Sequence, residues 1–212
     1  TLLDKKVRNT QEISADNLIV SVSDKALTPM LKKMRENLGL PENAVLKAHL
    51  HNMLIYGPDQ FFKKHQDTEK HDGMIASLVL VLPSPHIGGD LVVTHRNKEF
   101  SFKTENIDAK EIKALAFYAD CVHEVEKVQQ GYRVALTYNL VLEVNEAART
   151  ISFANSALIK ALKDFFVLDE EIDEGCLPLV YFLDHEYTEH SLHWSLLKGN
   201  DAKNGADFLY AA

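Results

Sequence analysis

The residues of this chain best suited to chemistry are two histidines and a carboxylate. His65-Gln66-Asp67 sets an imidazole and a carboxylate at i and i+2, which puts both side chains on one face if the segment is a strand. His123 follows a second apolar run, Ala114 to Cys121, and is expected at its end. Two imidazoles and one carboxylate form the facial set that holds non-haem Fe(II) and leaves coordination positions open. A lone His-x-Asp is weak evidence, because a chain with 10 histidines is expected to contain about one by chance. Arg133 strengthens it. This arginine lies in the run Tyr132-Arg133-Val134-Ala135-Leu136-Thr137-Tyr138, and an unpaired charge on a buried strand is costly. A dicarboxylate ligand would supply its partner through a bidentate pair. An internal salt bridge to Asp or Glu is the plainer alternative.

The elements that must position these groups are short and β-rich. Residues 45–56, 75–82, 89–95, 98–102, 114–119, 124–129 and 132–143 read as strands, punctuated by turn signals such as Gly57-Pro58-Asp59, Pro83-Ser84-Pro85 and Gly88-Gly89-Asp90. Many short strands at regular spacing point to a jelly roll or a barrel. Before them, Leu18 to Val22 reads as a strand. Residues 26–38 place Leu27, Met30, Leu31, Met34 and Leu38 at helical spacing, with Gly39 as the stop. After Glu143 the pattern turns helical over 152–166, with Phe153, Leu158, Leu162 and Phe165 on one face. An acidic stretch (169–174), a strand-like run from Leu177 to Leu183 and a helical segment near 202–212 follow. The fold class is thus mainly β with flanking helices, α+β. Its parts are an N-terminal support (1–44), a β core (45–143) and a C-terminal extension (144–212).

Composition narrows the function classes. Of 212 residues, 46% are hydrophobic and 25% charged, the balance of a globular protein with a real core. The longest apolar run, Ala76 to Leu82, is strand-sized and far short of a membrane span. A formal charge of −8 disfavours a nucleic-acid partner, whose phosphates are bound mainly by Lys and Arg. Cys121 and Cys176 lack zinc spacing and are too few for a disulfide scaffold, which suggests reduced thiols and a cytoplasmic location. The start at Thr1 and the end at Phe208-Leu209-Tyr210-Ala211-Ala212 read as those of a piece of a longer protein. The other histidines invite a plainer reading. His51, His71, His86 and His95 read as ordinary surface or core residues. His185, His190 and His193, with Glu186 and Glu189, form a looser cluster that fits no standard metal spacing.

From Tyr56 to Leu140 the chain resembles the iron- and 2-oxoglutarate-dependent dioxygenases of the prolyl 4-hydroxylase type. Tyr56-Gly57-Pro58-Asp59-Gln60-Phe61-Phe62-Lys63-Lys64-His65-Gln66-Asp67 is similar to that family's first metal-binding strand and the loop before it. Gly88-Gly89-Asp90-Leu91 is similar to its glycine pair. His123-Glu124-Val125, with Val128, Gly131, Arg133 and Thr137, is similar to its second histidine and co-substrate anchor. The resemblance implies a double-stranded β-helix, a cupin-like jelly roll. It implies Fe(II) on His65, Asp67 and His123, and 2-oxoglutarate with its distal carboxylate on Arg133. Thr137 and Tyr56 would add hydrogen bonds to the co-substrate, O2 would be the oxidant and ascorbate an auxiliary reductant.

Two features qualify the likeness. Collagen-type relatives carry Lys where this chain has Arg133. Where some relatives have a second co-substrate tyrosine, the strand from Ser77 to Leu82 offers only apolar residues beyond Ser77. Asp67 favours hydroxylation, since halogenating relatives replace this carboxylate with a small residue. The expected substrate is a protein side chain of the prolyl type or a small molecule, with the loops at 57–64 and 68–74 lining its mouth. Demethylation of nucleic acid fits the acidic charge poorly. A binding or scaffolding module with a vestigial site is the alternative from another class, and a cupin with another metal would leave Arg133 without a purpose. The tail from Tyr181 to Asp201 resembles a segment that follows the oxygenase domain in uncharacterised microbial and fungal homologues, and it names no substrate.

Overall fold

The computed structural model describes residues 6–40, 44–106, 110–143, 156–170, 179–189 and 191–211. Twelve strands are present among them: β1 (Arg8–Asn9), β2 (Gln11–Ser14), β3 (Val45–Tyr56), β4 (Phe61–His65), β5 (Met74–Val81), β6 (His86–Gly88), β7 (Leu91–His95), β8 (Lys98–Phe102), β9 (Lys113–Tyr118), β10 (Val122–Val125), β11 (Val128–Gly131) and β12 (Arg133–Glu143). Three α-helices accompany them: α1 (Asp24–Asn37), α2 (Ser156–Glu170) and α3 (Gly199–Ala211). The chain divides into two compact units, residues 1–34 with 46–142 and residues 35–45 with 143–212.

In the first unit the strands fall into two five-stranded sheets, ordered β1-β4-β10-β7-β8 and β2-β3-β12-β5-β9, with β6 and β11 paired separately. From β3 the chain passes back and forth between the sheets, except at the β7–β8 hairpin, and the earliest core strands pair with the latest, β3 with β12 and β4 with β10. That interleaving is a ribbon of strands wound on itself, the double-stranded β-helix. An apolar cluster fills the space between the sheets. Leu54, Val79, Val81, Phe117 and Ala135 come from one sheet, and Leu91, Val93 and Val125 from the other. Each such aliphatic side chain, once buried, contributes about 1.5–3 kcal/mol. All eight residues of β5 are buried, which is why its sequence does not alternate and is apolar at every position but Ser77.

Helix α1 forms where its apolar spacing predicts and ends as Gly39 predicts. Gly39 takes a φ of +69°, its N–H bonds the Glu36 carbonyl at 3.0 Å, and the Leu40 N–H reaches back to Arg35 at 3.1 Å. Other expectations need correction. The run Leu18 to Val22 is not a strand. The first strands are β1 and β2, and β2 takes the edge of β3 from Gln11↔Ile55 to Ser14↔Asn52, leaving Ile19 fully exposed with no strand to pair. The stretch 124–129 is two strands. Glu126 and Lys127 turn the chain between β10 and β11, where the Glu126 N–H bonds Asp90 and the Lys127 carbonyl accepts from Gly89. Strand β4 carries two lysines, Lys63 and Lys64, that masked its pattern in the sequence.

In the second unit, α2 and α3 pack together, with Lys163 Nζ 4.5 Å above the Tyr210 ring. Leu179 to Leu183 is irregular and not a strand, because no neighbouring strand pairs with it; Leu177, Cys176, Phe153 and most of the acidic stretch lie outside the described residues. The loop before α3 is tied to it by Asp201. This fully buried carboxylate accepts the Asp184 N–H at 2.8 Å, the His185 N–H at 3.0 Å and the Tyr187 hydroxyl at 3.0 Å.

The turn from β11 into β12 depends on Gly131. Its φ is +76°, and a Cβ there would lie 2.1 Å from the Pro85 carbonyl oxygen. Gly131→Ala is expected to cost at least about 1–3 kcal/mol, measured as a lower midpoint of urea unfolding. An unchanged midpoint would contradict this register.

Candidate functional site

A cavity of about 220 Å³ lies within the β-helix. Strand β12 contributes Arg133, Ala135, Thr137 and Asn139 to its wall, and β3 contributes Asn52, Leu54 and Tyr56. Both sets follow the period of two that puts alternate residues on one sheet face.

His65 and His123 meet across the antiparallel pair β4–β10, where they are direct register partners. Their rings are 4.1 Å apart between centroids. Each imidazole is fixed from behind. His65 Nδ1 lies 2.8 Å from the Lys63 carbonyl and His123 Nδ1 lies 3.0 Å from the Cys121 carbonyl. A carbonyl only accepts, so each Nδ1 carries a proton and it is Nε2 that is left to bind a metal. The Nε2 atoms face Asp67, His65 at 3.9 Å from Oδ1 and His123 at 3.7 Å from Oδ2. One ligand atom from each of the three residues lies within 4.8 Å of the other two. Burial first, and the neighbouring His123 second, pull the His65 pKa below its ordinary value, which keeps the ring neutral and able to bind a metal. Phe62 stacks on His65 with centroids 3.6 Å apart, and Phe117 lies 4.6 Å from His123. The donor set, two imidazoles and one carboxylate, suits Fe(II).

The route to this cluster differs from the sequence expectation. His65 ends β4, and Asp67 sits in the loop beyond it, so the two do not share a strand face. His123 lies inside β10, after a turn, and not at the end of the run 114–121. The sheet register brings the three together, and a His-x-Asp spacing alone does not.

Arg133 opens β12 and is 1% exposed. Its Nε donates to the Thr104 hydroxyl at 3.3 Å, and that hydroxyl donates onward to the Gly89 carbonyl at 2.6 Å. Its Nη2 is buried with no hydrogen-bond partner among the described residues. Among the described residues Arg133 has no internal salt bridge. Asp90, the acidic group that acts on Arg133 from nearby, is bound to Lys103 Nζ and to the Thr104 N–H. Burial lowers the Arg133 pKa, yet a guanidinium stays charged. The Tyr56 ring lies 5.4 Å from the guanidinium carbon. Its hydroxyl is also buried without a close hydrogen-bond partner among the described residues, although the Thr10 oxygen, whose proton goes to the Ile55 carbonyl, is near enough to pull the Tyr56 pKa down. Burial raises the Tyr56 pKa more than Arg133 lowers it, so the phenol keeps its proton. Two orphaned buried donors, one charged, wait for an acceptor. A carboxylate of 2-oxoglutarate meets that need.

Thr137 lines the same cavity, but its hydroxyl donates to Asn52 Oδ1 at 2.5 Å. Asn52 Nδ2 in turn reaches Glu12 at 2.6 Å, and Glu12 pairs with Arg8 at 2.8 Å. The Thr137 oxygen therefore faces the cavity as an acceptor. Of the loops expected at the mouth, 57–64 supplies Phe62 and 68–74 supplies Thr68, Lys70 and Met74 to the lining. His86 is buried against the Ser84 carbonyl, and His71 lies beside His49. His51 lines the cavity, and His190 lies outside the described residues. The sequence reading missed Asn52 and Asn139, although each stands an even number of residues from a group already singled out (Tyr56 and Arg133). It also missed Thr104 and Ser77, for which strand spacing from those groups gives no signal.

The family model described as the 2OG-Fe(II) oxygenase superfamily matches residues 49–141. No curated protein matches the chain. Among solved structures, a prolyl-4-hydroxylase from Pseudomonas putida is 21% identical, covering 65% of this chain and 74% of that one, with a TM-score of 0.45. A prolyl hydroxylase from Trichoplax adhaerens, solved with a hypoxia inducible factor peptide fragment, is 18% identical over 65% and 64%, at 0.45. A viral collagen prolyl hydroxylase from Paramecium Bursaria Chlorella virus-1 is 16% identical over 65% and 81%, at 0.42. At these scores and identities the structural likenesses carry no weight of their own. No helix among the described residues is long and apolar enough to cross a membrane. The strand order and the His65–Asp67–His123 cluster agree with that match, and residues 49–141 are similar to the 2OG-Fe(II) oxygenase superfamily.

Proposed function

We propose that this domain oxidises a C–H bond of a protein side chain or a small molecule, with release of succinate and CO2. The observation that carries this reading is the pair of unpartnered donors, Arg133 Nη2 and the Tyr56 hydroxyl, lining the same cavity as the three metal-ligating groups. In it, His65 Nε2, His123 Nε2 and Asp67 hold Fe(II). Arg133 and Tyr56 hold the distal carboxylate of 2-oxoglutarate. Thr104 fixes Arg133 from behind, and Thr137 offers an oxygen to a donor on a bound ligand or water. The bound iron and co-substrate together supply the activation of O2 that oxidises the substrate. The chain's own part is to fix both rings on backbone carbonyls, to hold His65 neutral by burial and to place the Asp67 carboxylate beside them.

The sequence resemblance to the prolyl 4-hydroxylase type makes a peptidyl side chain the first substrate class to test. A reducing compartment suits both Fe(II) and the thiols. Purified protein is incubated with Fe(II), 2-oxoglutarate, air and proline-containing peptides, and succinate and the gain of one oxygen atom are followed. Succinate is expected from the wild type, falling to background in His65→Ala. Folded, metal-loaded protein that consumes no 2-oxoglutarate with any peptide or small molecule offered would favour a binding module.

Gly89 gives a second test of the anchor. Its φ is +72°, and a Cβ there would lie 2.9 Å from Arg133 Cδ and 2.9 Å from Val128 Cγ2. Gly89→Ala is expected to displace the guanidinium and weaken 2-oxoglutarate binding roughly tenfold, about 1.4 kcal/mol. Isothermal titration with Mn(II) in place of iron measures it.

A further inference from the structure

We propose that Ser77 is a positioning residue for the metal centre, holding the Asp67 carboxylate in the orientation that receives the ion. The proposal rests on the metal-centre reading above. Of the three ligating groups, Asp67 has the least support from its own segment. Both histidines belong to paired strands and have their Nδ1 atoms fixed on backbone carbonyls. Asp67 stands in a loop, with its side chain one-third exposed. The terminal torsion of an aspartate is broad and roughly two-fold, so a loop carboxylate left alone samples many orientations.

Ser77 removes that freedom. Its Oγ donates to Asp67 Oδ2 at 2.5 Å. The serine itself does not move, because β5 is flanked on both sides, by Asn139 of β12 and Phe117 of β9 in direct register, and Ser77 is 5% exposed. One carboxylate oxygen is thus tied to the core of the larger sheet. With that oxygen tied, Oδ1 is directed toward His65 Nε2 at 3.9 Å while Oδ2 stays 3.7 Å from His123 Nε2. Every other residue of β5, from Met74 to Val81, is apolar. A hydroxyl at this one place costs burial unless its proton is used, and Asp67 uses it.

Hydrogen-bonding partners of metal ligands typically govern affinity by roughly 10- to 100-fold. Mn(II) binding to wild type, Ser77→Ala, Ser77→Thr and His65→Ala is measured from the free-ion signal in electron paramagnetic resonance, without co-substrate or turnover. Thermal unfolding of each metal-free protein is recorded alongside. Ser77→Ala is expected to bind Mn(II) roughly 10- to 100-fold more weakly with its unfolding midpoint unchanged. Ser77→Thr, which keeps the hydroxyl, is expected to bind close to wild type. Wild-type affinity in Ser77→Ala overturns the proposal, as does equal weakening in the Ala and Thr variants. A wild type that binds no Mn(II), or a His65→Ala that binds like wild type, instead overturns the metal-centre reading and this proposal with it.

Discussion

Strand β10 lies antiparallel to β4 with His123 opposite His65, and most of what is distinctive in this domain depends on that pairing. Side chains in a strand alternate between faces, so a slip of one residue would send His123 to the far side of the sheet and dissolve the cluster. The register is held from the other side as well. β10 pairs with β7 without interruption from Val122↔Thr94 to Val125↔Leu91, while its ladder to β4 shifts between His123 and Val125. Such an irregularity re-aims side chains next to a site. The backbone carbonyls of Lys63 and Cys121 then set the tautomer of each ring. Fold, register and protonation state are in this way one argument.

Arg133 is the second constraint. A guanidinium with 1% exposure and no ion pair among the described residues costs several kcal/mol unless an anion arrives. The surroundings do not relieve it from within. Asp90 is committed to Lys103 and Thr104, and Thr104 takes only Nε. A scaffold with no ligand would gain by losing this charge. Its retention beside Tyr56, whose hydroxyl is equally unpartnered, reads as stability forgone for binding. Strained or unsatisfied groups of this kind concentrate where function requires them.

Much of this was legible in the residues. The β-rich character of residues 45–143, the helix ending at Gly39 and the choice of His65, Asp67, His123, Arg133 and Tyr56, which line one cavity, were open to reading. What was not legible was relational. Phe61 to His65 carries two lysines, so β4 is visible only through its pairing with β1 and β10. Leu18 to Val22 has strand composition yet stays unpaired, because the edge of β3 was already taken by β2. Asp67 was expected on a strand beside His65, and its loop placement follows from where β4 ends. Ser77 and Thr104 lie 10 and 29 residues from the groups they hold, and no local periodicity announces contacts at that range.

The central claim is that one cavity holds a metal on His65, Asp67 and His123 and a 2-oxoglutarate carboxylate on Arg133. The most direct measurement is anaerobic titration of the metal-free protein with Fe(II) and then 2-oxoglutarate, watching for the weak visible charge-transfer band of the iron chelate. The account predicts a band in the wild type that is absent in His65→Ala and needs far more 2-oxoglutarate in Arg133→Ala. A folded wild type that gives no band, or an Arg133→Ala that saturates at the wild-type concentration, would contradict it.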